Sequence, residues 1–225
     1  MNHIAPLFAS QPRLEKICND WENEFLPSCF TTYTLNSNEN DSVNELHEKA
    51  NDIEYLINLC RINLTFLNVK YYPSSQIIPI INANCPNLEM LSLGLKEIIS
   101  QDFKNCFSKM SHLKRLTIKW QCKNTTLPMT LAESLKQIGG TLESLKLLCT
   151  LKGNEIFLLD SLASVFPRLI ALSSLDIYGF GLSQLLLQSI SQMKNLAHLT
   201  LVVTESSWPN NHPRLDTKIC IQFRI

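Results

Sequence analysis

Metal binding, acid–base catalysis and nucleophilic attack need particular side chains at particular spacings, and those spacings do not occur in this chain. His3, His47, His112, His198 and His212 stand apart from any cysteine or carboxylate cluster at ligand spacing. Six glycines form neither a phosphate-cradling loop nor a dinucleotide fingerprint, and there is no Gly-x-Ser-x-Gly elbow or His-Glu-x-x-His helix. No catalytic, cofactor or metal residue is assigned, and the chain is expected not to be an enzyme. What does recur is the material of noncovalent recognition: cations and aromatics placed between regularly spaced leucines. The residues singled out are Phe66, Lys70, Met90, Arg115, Lys119, Lys146, Leu148, Asp176, Tyr178 and His198. Aromatic and basic side chains interleaved on one surface are the usual ingredients of a protein-binding patch.

The leucines supply the frame for those residues. Leu-x-x-Leu-x-Leu or a close copy occurs six times: Leu64-Leu67-Val69, Leu88-Leu91-Leu93, Leu113-Leu116-Ile118, Leu142-Leu145-Leu147, Leu172-Leu175-Ile177 and Leu196-Leu199-Leu201. The first leucines are 24 to 30 residues apart. In a strand successive side chains alternate, so the last two leucines of each sextet point into a core and the residues between and after them point away. A recurring unit of this length indicates a solenoid, in which each repeat buries its apolar face only against its neighbours. Parallel strands joined by 18 to 24 residues leave room for a crossover helix. The fold class is therefore α/β, with parallel strands on a concave face and helices on the convex one.

Helix signals fall between the strands. Ser42 with Glu45 reads as a capping box ahead of a stripe of Val43, Leu46, Ala50, Ile53, Ile57 and Cys60. Ser100 precedes Phe103, Phe107 and Met110 at helical spacing. Thr130 with Glu133 is a second capping box, closed by Gly139-Gly140. Asn154 and Ser183 can cap two more helices, and Ser74-Ser75 a short one limited by Pro79. Leu215 to Ile221 is strand-like, with Lys218 where a seventh sextet would place its second leucine, so a terminal edge strand or an incomplete repeat is expected. Residues 1–41 are read as a helical segment, 42–203 as the repeat domain with its capping helix, and 204–225 as a tail.

Formal charge is zero, yet residues 1–60 carry 3 Lys/Arg against 10 Asp/Glu, and the remainder 17 against 10. The basic surplus lies on the repeats, where a protein partner is expected; the acidic N-terminal segment docking on the same surface is the intramolecular alternative. No nucleic-acid motif accompanies the surplus, and no apolar run reaches membrane-spanning length. Neither nucleic acid nor membrane is expected as a partner. Eight dispersed cysteines without a Cys-x-x-Cys pair, and no signal peptide, point to reduced thiols and to the cytoplasm or nucleus.

The sextets resemble the leucine-rich repeat family, and strands joined by full helices resemble its ribonuclease-inhibitor type, a horseshoe. Cys85-Pro86-Asn87-Leu88-Glu89-Met90-Leu91-Ser92-Leu93 looks like a repeat of intracellular F-box proteins. Upstream, Leu14, Ile17, Cys18 and Trp21, within Ile17-Cys18-Asn19-Asp20-Trp21, resemble the second half of an F-box as insect F-box/leucine-rich-repeat proteins carry it. The first helix of that motif has no counterpart, so the F-box is read as incomplete. The resemblance implies substrate reception in a cullin–RING ubiquitin ligase: the F-box docks a Skp-type adaptor while the concave face holds a protein substrate. A leucine-rich scaffold or inhibitor with no ligase link is the alternative.

Overall fold

All six sextets run into consecutive strands. A computed structural model describes residues 31–35, 42–122, 129–151, 159–181, 183–202 and 218–222. Strands β2 (Phe66–Ser74), β3 (Met90–Glu97), β4 (Arg115–Cys122), β5 (Ser144–Leu151), β6 (Ser174–Tyr178) and β7 (His198–Val202) lie side by side in chain order, all parallel. The register is the one the leucines dictate. Leu67, Leu91, Leu116, Leu145, Leu175 and Leu199 are partners in one column, and Val69, Leu93, Ile118, Leu147, Ile177 and Leu201 in the next. Both columns are buried, as are the first leucines of the sextets, at 5 % exposure or less. Burying one such side chain stabilises the fold by about 2 kcal/mol relative to leaving it in water. A one-residue slip of any strand would turn its leucines out, so the register is strongly specified.

The strands also start in step, through a repeated backbone fork. Thr65 O accepts from the N–H groups of Glu89 and Met90, Glu89 O from Lys114 and Arg115, Lys114 O from Glu143 and Ser144, Glu143 O from Ser173 and Ser174, and Ser173 O from Ala197 and His198. Each repeat thus satisfies the donors of the next before the ladder begins.

Two further strands extend this sheet. β1 (Thr32–Leu35) pairs parallel with β2, and β8 (Lys218–Gln222) pairs antiparallel with β7. β1 falls in the segment read as helical; its signal was the β-favouring run Thr31-Thr32-Tyr33-Thr34, which carries no sextet. The antiparallel direction of β8 shows that it is an edge strand and no seventh repeat.

Five helices among the described residues cover the leucine side: α1 (Val43–Cys60), α2 (Ile77–Asn84), α3 (Met129–Leu135), α4 (Asp160–Ala163) and α5 (Gln184–Ser191). The Ser42–Glu45 capping box forms, with Ser42 N donating to Glu45 Oε2 at 2.8 Å and Glu45 N to Ser42 Oγ at 3.3 Å. Ala50, Ile53, Ile57 and Cys60 are buried beneath it. Ser183 caps α5, its hydroxyl accepting from Leu186 N at 3.0 Å. Pro79 sits in the first turn of α2, where its missing N–H costs nothing, and the helix ends after eight residues.

Two helix readings need correction. Ser100–Phe103 is a 3-10 turn, and Asn105 at φ 55° interrupts any continuation, although Phe103, Phe107 and Met110 are buried as expected. Thr130 lies inside α3 and caps nothing there; its hydroxyl donates to Ser100 O at 2.6 Å, tying one repeat to the previous one. Ser134 does the same, donating to Phe103 O at 2.5 Å, and Ser189 donates to Ala163 O. A hydroxyl that looks like a helix start, such as that of Thr130, can therefore be a staple between repeats. Asn154, like Leu14, Ile17, Cys18 and Trp21, lies outside the described residues.

Among the described residues Cys60, Cys85, Cys106 and Cys149 are buried and form no disulfide. Burial pushes the Cys85 and Cys106 thiols up from 9.0 to about 12. Burial, then the Asp52 carboxylate, pushes Tyr33 up to about 12; Tyr72 is raised by burial and by Glu54, to which its hydroxyl donates at 3.2 Å. A raised folded pKa means that the folded chain holds the proton more tightly than the unfolded one. The stability these groups lend is full below about pH 9 and is lost as pH climbs toward about 12. Melting followed by circular dichroism should show a Tm that these groups leave unchanged from about pH 7 to 8.5 and lower at about pH 10.5. A Tm flat or rising across the alkaline range would contradict the burial of these groups. No described helix is long and apolar enough to cross a membrane.

Candidate functional site

Opposite the leucines the sheet has a second face, set by the same alternation, that no helix covers among the described residues. Its side chains fall into rows that cross the strands. Phe66, Met90, Arg115, Ser144, Ser174 and His198 are partners in the first, and Asn68, Ser92, Thr117, Lys146, Asp176 and Thr200 in the second. Gly94, Lys119, Leu148, Tyr178 and Val202 continue as a third. Nine of the ten residues expected to form the binding surface take the row positions that the leucine spacing assigns.

The exception is Lys70. β2 bulges between Val69 and Tyr72, so Lys70 and Tyr71 together oppose the single Gly94. Tyr71 adopts φ 56° to make the bulge. Gly94 is required there, because a Cβ would stand 2.9 Å from Tyr71 N. With no side chain on the intervening strand, Tyr71 on β2 and Lys119 on β4 reach each other. Lys119 Nζ lies 5.1 Å from the Tyr71 ring centroid and donates to its hydroxyl at 3.4 Å. A second pair of the same kind joins Lys146 Nζ to the Tyr178 ring at 4.9 Å. Each ring holds an ammonium group in place while leaving most of its charge unneutralised, a contact worth about 0.5–1 kcal/mol at an exposed site.

Tyr71 was missed because strict alternation cannot foresee a bulge; a glycine inside strand β3 is the sequence signal for one. Lys96 was missed because β3 runs past its sextet to Glu97, and alternation places Lys96 on the open face. On strands β2–β6 that face thus carries Lys70, Lys96, Arg115, Lys119 and Lys146 against Asp176.

Along the starting edge of the strands lies an open groove of about 460 Å³. Phe66, Met90 and Arg115 form one wall, and Glu89, Lys114 and Glu143, each one residue before its strand, form the rim. Lys114 Nζ and Glu89 Oε2 pair at 3.0 Å with both side chains about half exposed, a contact worth under about 1 kcal/mol. Among the described residues no ion-pair or hydrogen-bond partner meets the side chain of Arg115 or of Glu143. The alternating charges at this pre-strand position were legible in the aligned repeats but were not read as part of the site. Among the described residues no group of three or more His, Cys, Asp or Glu side chains is placed to hold a metal.

No protein-family profile matches the chain, and no curated protein matches it.

Proposed function

We propose that this chain is a leucine-rich repeat receptor of the horseshoe type, which holds a protein on the open face of its sheet and presents it to a cullin–RING ubiquitin ligase. The observation that carries the protein-binding part is the face itself. Six strands in one register expose rows of basic, aromatic and small polar side chains, with two lysines already positioned on tyrosine rings. Rigid rows pay little ordering entropy on binding. The receptor performs no chemistry of its own; holding a substrate near the ubiquitin carrier raises the effective concentration of its lysines. The ligase part rests on the F-box-like resemblance of Leu14, Ile17, Cys18 and Trp21. A scaffold or inhibitor with no ligase link is the second reading, since it needs only the face that the described residues carry.

Tagged full-length chain recovered from cells separates these readings. Wild type should retain a set of proteins that the R115E/K119E/K146E variant loses, because three opposed charges at about 1 kcal/mol each weaken binding by roughly two orders of magnitude. A Skp-type adaptor should accompany both, its element being remote in sequence from the substituted strands. Loss of the adaptor from both would remove the ligase and leave the scaffold. An identical protein set on wild type and variant would remove the face as the docking surface.

A further inference from the structure

We propose that the partner segment on this face is acidic and carries an aromatic or large apolar side chain that seats in the groove at the starting edge of β2–β4. The proposal deepens, and rests on, the reading of the open face as a protein-docking surface; it adds the chemistry of what docks.

Charge complementarity is the first support. On strands β2–β6 the face carries five cations against one acid, a strong imbalance in a chain whose formal charge is zero. Two of these cations, Lys119 and Lys146, rest on neutral tyrosine rings. Arg115 has no acidic partner among the described residues. Strand geometry sets the spacing. Arg115 and Lys119 are four residues apart on β4, about 13 Å at the rise of a strand. Four residues of an extended partner segment span the same distance, so acids at that separation meet both cations.

The groove is the second support, and it sits at the end of that cationic line. Phe66 and Met90 are half-buried neighbours in the first row, beside Arg115. An apolar wall ending in an unpaired guanidinium fits a large apolar or aromatic side chain next to a carboxylate. Aromatics pack on Met sulfur and stack on guanidinium planes.

The acids on the rim favour a peptide over a nucleic acid. Glu143 is exposed, faces the groove beside Arg115 and has no cationic partner among the described residues; Glu89 lines the same rim. A continuous phosphodiester chain would bring a charge against these carboxylates at every step, whereas a peptide places its acids selectively.

Fluorescence anisotropy with the full-length chain tests this. Three labelled probes are used: a random 4:1 Glu/Tyr copolymer, polyglutamate of the same length, and a twenty-nucleotide oligo-dT. The copolymer is expected to bind about fivefold or more tighter than polyglutamate, with oligo-dT the weakest. R115E/K119E/K146E should weaken both polypeptides at least about tenfold. Met90→Gln, close in volume and only half buried, should erase the preference for the copolymer while leaving polyglutamate binding intact; Phe66→Leu tests the other side of the wall in the same way. Equal affinity for the two polypeptides, or a preference that survives both groove variants, overturns the groove assignment. Tighter binding of oligo-dT points to nucleic acid and overturns the peptide. Failure of every probe, or indifference to the charge reversals, overturns the acidic partner. The face itself would still stand if cellular proteins are lost from the variant in the capture experiment, with a partner of different charge.

Discussion

Leu145→Asp is expected to leave the chain without its cooperative fold at 25 °C. Leu145 lies in the middle of the sheet, fully buried, between Leu116 on β4 and Leu175 on β6. The substitution removes about 2–3 kcal/mol of apolar burial and puts a carboxylate where nothing can pair with it, a penalty of several kcal/mol more. A domain of this kind holds only about 5–15 kcal/mol in total. In a repeat array a break at the centre also deprives the flanking repeats of their neighbours. Ser144→Asp, one residue earlier and on the open face, should shift stability by less than about 1 kcal/mol. Urea unfolding followed by circular dichroism compares them. If Ser144→Asp were the more damaging of the two, the register would be wrong by one residue.

Gly179→Ala is expected to cost about 3 kcal/mol, from one added methyl group. Gly179 ends β6 at φ 77°, a conformation that L side chains rarely adopt, and its missing Cβ would lie 2.1 Å from Cys149 O on β5. On the other side its N–H donates to Val202 O on β7 at 2.9 Å. Wedged between two strands, the backbone cannot back away. The turn has a purpose: it sends Phe180 inward to meet Trp120, with ring centroids 5.2 Å apart. A Tm lowered by about 6–12 °C is expected, with altered tryptophan fluorescence. Gly140 is the control, since a Cβ there meets nothing within 4 Å and φ is not positive; its alanine variant should be neutral or slightly more stable. Equal tolerance of both substitutions would contradict the close approach of β5 and β6.

These two positions also mark where the sequence was and was not readable. The column through Leu145 was legible because alternation and a six-fold repeat specify the same face six times. Gly179 was visible as a residue but not as a turn, since its reason is a backbone contact with Cys149, 30 residues away in sequence. The bulge at Lys70 and Tyr71 hid for the same cause. It is set by what Gly94 lacks on the neighbouring strand, so Lys70 was named for the row and Tyr71 was not. Strand β1 was overlooked because its four residues, Thr-Tyr-Thr-Leu, hold one buried leucine and no sextet. Ser100 and Thr130 misled as helix starts because a hydroxyl that caps a helix and one that bridges to a neighbouring repeat are the same in sequence. The rows of the open face, in contrast, followed from the leucines with no further information.

Photo-crosslinking from single positions tests the docking face most directly. A photoreactive phenylalanine analogue placed at Thr117 or Ser92, both on the open face, is compared in cells with one at Gln137 or Gln188, exposed on the helical side. Discrete protein adducts from Thr117 and Ser92, lost when Arg115, Lys119 and Lys146 are changed to Glu and absent from Gln137 and Gln188, are the expected result. Adducts formed equally from the helical side, or from that side alone, would contradict a function carried by the open face of the sheet.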